Sequence, residues 1–165
     1  MPNKPSLVIN TSPLVALAAA LDDFQVLGDA VTLIVPGEVM SELEAGAGRD
    51  EPAQATRATR CCSIRPAFAV LPTALENGLG RGEAAVIHTA LNERITTVVI
   101  DERKGRRVAA LNGLQVTGSL GLLLALRQRG LVPSLSQLIA RMKAKGIHLS
   151  DELVAEALRL EAVGK

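Results

Sequence analysis

The chain has 165 residues and a net charge of +1 at pH 7. That is enough for one domain with a full core but too balanced to attract nucleic acid or membrane as a whole, so any electropositive site must be local. Hydrophobic residues make up 48% and aromatics only Phe24 and Phe68; the core must be aliphatic, and stacking platforms for single-stranded nucleic acid are disfavoured. Cys61 and Cys62 are adjacent, a spacing that suits neither a relaxed disulfide nor a zinc site. With no signal-like start and no run near ~18 apolar residues, a cytoplasmic protein without a membrane span is expected.

Leu7, Val8 and Ile9 form a first buried strand ending at Asn10. Ser12 reads as the N-cap of the next helix, with Pro13 at its first position and Leu14, Leu17 and Leu21 on one face. A second strand spans 31–35, and Pro36-Gly37 turns it into a helix carrying Glu38, Met40, Glu42 and Glu44. Residues 46–59 are Gly/Ala-rich and weakly patterned, a loop or a surface helix. Residues 63–71 hold a short edge strand interrupted by Pro66. A helix over 83–92 follows, then the clearest strand at 96–100, a helix over 104–111, a short strand at 115–117, and a helix over 120–128 stopped by Gly130. Ser134 to Gln137 matches a capping box opening a helix to Lys145, and Ser150 caps a last helix towards Val163. This alternation predicts a three-layer α/β/α sandwich with a central, mainly parallel sheet.

Ligands of open parallel sheets bind beyond the carboxyl ends of the strands. Asn10, Asp101 and Ser119 lie just there, and Glu83 and Glu42 sit on helices able to lean over the same edge. Like charges at ~4 Å repel by about 4 kcal/mol at an intermediate dielectric, a cost that a hard cation such as Mg²⁺ or Mn²⁺ removes. Arg103, Lys104, Arg106 and Arg107 follow Asp101 and could hold a phosphodiester backbone.

Each residue also has a plain structural role. Glu83 suits a helix start through the macrodipole, Asp101 could cap the helix after it, and Asn10 could bond backbone amides. Glu42 could be a solvated acid, with Glu38 one turn earlier its competitor. The basic run could be a solvated face, and Ser12 and Ser119 plain N-caps. His88 and His148 have no partnering motif. The glycines around Leu79 lack the third glycine of a dinucleotide loop, and there is no P-loop, G-x-S-x-G elbow or H-E-x-x-H.

Five segments nevertheless occur in a telling order: LVINTSPL from Leu7, VPGEVMSEL from Val35, GRGEAA from Gly80, IDERKGRR from Ile100 and GSLG from Gly118. Together, over 7–135, they resemble the PIN-domain superfamily, in a prokaryotic branch similar to VapC-type toxins. The resemblance implies a PIN-like ribonuclease domain over 1–135 and a C-terminal helical extension over 136–165 packed on the same domain. It implies a Mg²⁺- or Mn²⁺-dependent endoribonuclease hydrolysing RNA phosphodiester bonds, with Asn10, Glu42, Glu83 and Asp101 at the metal and catalytic positions. Ser12 and Ser119 fall on polar positions near the metal. A small antitoxin and a homodimer become expected partners. Asn10 departs from the pattern, standing where the family has Asp; an amide oxygen brings no charge, and metal affinity should fall. The alternative reading is therefore a catalytically weak or inactive protein- or RNA-binding module.

Overall fold

The computed structural model describes residues 3–46 and 50–164. Its elements run β1 (Ser6–Ile9), α1 (Thr11–Ala20), α2 (Gln25–Gly28), β2 (Thr32–Val35), α3 (Gly37–Ala45), α4 (Asp50–Ala58), β3 (Cys62–Ile64), α5 (Thr73–Glu76), α6 (Arg81–Asn92), β4 (Thr97–Val99), α7 (Arg103–Leu111), β5 (Gln115–Thr117), α8 (Ser119–Gln128), α9 (Leu135–Ala144) and α10 (Asp151–Val163). The five strands form one parallel sheet in the order β3-β2-β1-β4-β5. Chain direction across the sheet reverses at β1: the chain passes from β1 to β2 one way and from β4 to β5 the other. Right-handed crossovers running in opposite directions put α1 and α7 on opposite faces. The result is the expected α/β/α sandwich, with a sheet that is parallel throughout rather than mainly so.

The strands are short and β-branched, which suits a pleat buried on both faces. Val8 pairs with Ile34 and Val98, and Ile9 with Val99. Val8, Ile9, Leu33, Val98, Val99 and Ile100 have no accessible surface. On the helical side, α1 packs with α4, α8 and α9, while α6 packs on β1 and β4 beside α7; α3 touches both α1 and α6. The last two helices join this body, α9 on α1 and α8, and α10 on α8 and α9.

Several local readings are revised. Helix α1 begins two residues earlier than a Ser12 cap allows, and its N-cap is Asn10, not Ser12. The reason is continuity with the sheet: the Asn10 N–H still bonds the Val99 carbonyl at 3.0 Å, while its own carbonyl accepts from Leu14 N–H. Pro13 thus lies within the first turn, where a missing N–H costs nothing. Residues 50–58 are helical as α4, anchored by buried Ala53 and Thr56; residues 47–49 of that stretch lie outside the described residues. Ser134 holds the N-cap position of α9, but its side chain makes no capping bond. The N–H of Leu135 goes instead to Glu161 Oε1 at 3.1 Å.

Candidate functional site

The carboxyl ends of β1 and β4 are adjacent, and the topology reverses there, which is the usual ligand crevice of an open α/β sheet. Asn10 leaves β1 into this crevice and Asp101 follows β4 after Ile100. Helix α6 delivers Glu83 from its first turn onto the same two strands, and α3 delivers Glu42 from the side.

Contacts between these elements draw the side chains together. Glu42 Oε1 accepts the Gly82 N–H at 2.9 Å, and Oε2 accepts the Thr11 hydroxyl at 2.5 Å, so one carboxylate joins the starts of α6 and α1. Glu83 Oε2 reaches back to the Gly80 N–H at 3.1 Å; glycine has no side chain to complete a capping box, so only this half exists. Asp101 Oδ1 accepts the Ser119 N–H at 2.7 Å. Asp101 therefore does not cap its own following helix, whose N-cap is Glu102, but holds the start of α8.

Two helix N-termini thus engage two of the three acids. Backbone N–H groups and the positive end of the macrodipole offset negative charge there. Glu83 is less well served. Its exposure is 9%, and Oε1 has no hydrogen-bond partner. Burial pushes its carboxyl above the usual carboxylate range, the negative charges of Glu102 and Glu42 add to this, and the Gly80 N–H and Lys104 oppose it. Asn10 is 4% exposed, and its Oδ1 is likewise buried without a partner.

Glu38, the competitor of Glu42, has a different job. Its Oε1 accepts the Phe68 N–H at 2.6 Å and ties the segment after β3 to α3, while its Oε2 is buried without a partner. Ser12 is exposed on the first turn of α1; the neighbour that enters the network is Thr11, which the sequence reading passed over. Ser119 is buried and contributes its backbone N–H. Among the basic residues, Arg103, Lys104 and Arg107 are exposed and take part in none of the ion pairs among the described residues. Arg106 is half-buried and donates to the Ile100 carbonyl at 2.8 Å, bracing the end of β4. His88 packs edge-on against Phe68, ring centroids 4.6 Å apart. Cys61 and Cys62 are both free thiols.

Whether these residues suit a divalent cation can be judged from their atoms. The donors are all oxygens, the set that Mg²⁺ and Mn²⁺ prefer. Two of them, Asn10 Oδ1 and Glu83 Oε1, are buried with no hydrogen to accept, a cost that a cation would relieve. Among the described residues no group of three or more His, Cys, Asp or Glu side chains already surrounds a common point. The chemistry of the donors fits the ion; their arrangement is not a closed cage.

No helix of the described residues is long and apolar enough to cross a membrane. No curated protein and no solved structure matches the chain. A family model described as a PIN domain (DUF3368) matches residues 6–162, through both terminal helices. With that match spanning nearly the whole sequence over a parallel α/β/α sandwich, the chain belongs to the PIN-domain family.

Proposed function

We propose that this protein is a metal-dependent endoribonuclease whose ion is held by Asn10, Glu42, Glu83 and Asp101. The observation that carries the reading is the pair of buried, partnerless oxygens, Asn10 Oδ1 and Glu83 Oε1, at the β1/β4 crevice. PIN domains are generally nucleases that use divalent metals, and RNA is the substrate that the VapC-type resemblance implies. A Mg²⁺ or Mn²⁺ ion would neutralise charge at the scissile phosphate and acidify water near it.

The chain's own groups do the rest. Glu83 and Asn10 present the buried oxygens, and the helix starts at Gly82 and Ser119 hold the Glu42 and Asp101 carboxylates in fixed orientations. Arg103, Lys104 and Arg107 present charge to the RNA backbone, while Arg106 keeps the Asp101 loop in place through the Ile100 carbonyl. The assignment of Ser12 and Ser119 to substrate contact rests on the resemblance alone; Ser12 is exposed and Ser119 is buried. A cytoplasmic setting agrees with the free thiols; a small antitoxin and a homodimer rest on the resemblance alone.

The test is cleavage of an RNA substrate by purified protein with Mn²⁺, beside Asp101→Asn. Removing one preorganised charge from such a site should cost about 100-fold in rate. Equal rates in the two proteins would remove Asp101 from the mechanism.

A second reading, a binding module with lapsed chemistry, is favoured by one residue: Asn10 brings an amide where the family has a carboxylate. It predicts little thermal stabilisation by Mn²⁺ and a gain from Asn10→Asp. A large Mn²⁺ shift in the unaltered protein counts against it.

A further inference from the structure

Each of the three acids in the crevice lies against the bare Cα of a glycine on another element. A methyl group on Gly82, in the first turn of α6, would sit 2.6 Å from Glu42 Oε2 and 2.7 Å from Oε1. One on Gly105, in α7, would sit 2.5 Å from Glu83 Oε1 and 3.0 Å from Ile100 Cγ2. One on Gly118, the N-cap of α8, would sit 2.7 Å from Asp101 Oδ1 and 3.1 Å from the Arg106 guanidinium.

Backbone conformation does not account for these glycines. The left-handed glycines among the described residues are Gly78, Gly113, Gly130 and Gly146; the three beside the acids are not among them. Helix propensity argues against glycine at 82 and 105, where alanine is the better former. Fold packing does not explain position 82 either. At Gly37 an added methyl would meet backbone, with Ala67 Cα at 2.8 Å and the Arg65 carbonyl at 2.9 Å, so the fold itself would have to move. At Gly82 the three nearest atoms all belong to the end of the Glu42 side chain. That end can swing aside at the cost of its bonds to the Gly82 N–H and the Thr11 hydroxyl; the backbone need not move, and the carboxylate would be somewhere else.

We propose that Gly82, Gly105 and Gly118 are positioning residues of the site: each leaves room for one carboxylate to rest on a neighbouring backbone and so decides where its oxygens point. This deepens the reading of the three acids as metal-holding and rests on it.

The experiment compares the unaltered protein with Gly82→Ala, Gly118→Ala and a remote control, Gly28→Ala, whose added methyl would meet only Cys61 Cβ at an ordinary 3.5 Å. Mn²⁺ affinity is measured by calorimetry, the metal-free melting temperature by scanning calorimetry, and the Glu42 carboxyl resonance by ¹³C NMR without metal. The expected result is a loss of Mn²⁺ affinity of about 10-fold or more in Gly82→Ala and Gly118→Ala. Gly28→Ala should bind as the parent does. Metal-free Gly82→Ala should remain folded and melt at most a few degrees below the parent, with a displaced Glu42 signal. Parental affinity in Gly82→Ala, or a Glu42 resonance that does not move, overturns the proposal. If the parent itself binds no Mn²⁺, the metal-holding reading fails, and the metal-free Glu42 signal still decides the glycine's role: displaced in Gly82→Ala it upholds the positioning, unmoved it refutes it.

Discussion

Asn10 and Glu83 each bury an oxygen that no N–H or O–H reaches, and an unsatisfied buried polar group costs about 1–3 kcal/mol. Asn10→Asp would add a fourth negative charge to this crevice. Without metal it should lower the melting temperature, and with Mn²⁺ it should bind at least about 10-fold more tightly, since a net gain of about 1.4 kcal/mol, a fraction of what one added charge contributes at an intermediate dielectric, is a factor of ten. A calorimetric titration of both proteins measures this, and weaker binding by the Asp variant would contradict the assignment of position 10. Glu83 makes a prediction in pH. Its carboxyl titrates above the usual range, chiefly through burial and then through Glu102 and Glu42, so the folded state holds that proton more tightly than the unfolded chain. The stability this confers is complete below the unfolded value of about 4.3 and is lost as pH rises through the folded one. Glu83→Gln removes the titration: the metal-free variant should melt above the parent at pH 7, with the gap closing towards pH 4. A gap that widens on acidification would reverse the sign and refute the account.

At the scale of elements, local signals placed most helices and strands to within one or two residues, because β-branched runs and 3.6-residue stripes are properties of the segments themselves. The short helices α2 and α5 went unread, and two other misreadings lie where a distant residue takes over a local role. Ser134 was expected to cap α9 by itself; Glu161, on α10, accepts the Leu135 N–H at 3.1 Å and the Arg127 Nε–H at 3.1 Å instead. One carboxylate therefore ties α8, α9 and α10. Glu161→Ala should cost about 1–2 kcal/mol, read as a lowered denaturant midpoint with faster amide exchange in the first turn of α9. Unchanged exchange there would mean that the contact does not hold the helix. Asp101 is the same lesson in the site: the local cap that its position after a strand would allow goes unused, and its carboxylate accepts from the start of α8, 18 residues onward. Nothing near Asp101 in the chain announces that partner.

For the whole molecule the net charge is +1, so the proposed function requires attraction to RNA to come from a local group, the one on α7, and not from the overall field. Replacing Arg103, Lys104 and Arg107 by Gln should weaken RNA binding and flatten its salt dependence, each lost phosphate contact removing about 0.7 from the slope of log K against log salt for single strands. Binding titrations at several salt concentrations measure it, and an unaltered slope would place the RNA elsewhere. The sequence by itself determined the fold class, the order of strands and helices, the family, and which strand ends and helix starts bear oxygen-donating side chains, because these follow from patterning and from the order of short motifs. Only the tertiary structure decided that Glu42 and not Glu38 reaches the crevice, that Thr11 rather than Ser12 joins it, that Arg106 braces a loop, and that glycines lie against the acids. Apart from the Arg106 brace, which joins neighbouring turns of chain, these depend on contacts between segments 17 to 40 residues apart, and side-chain direction across such distances is set by packing, which no local pattern encodes.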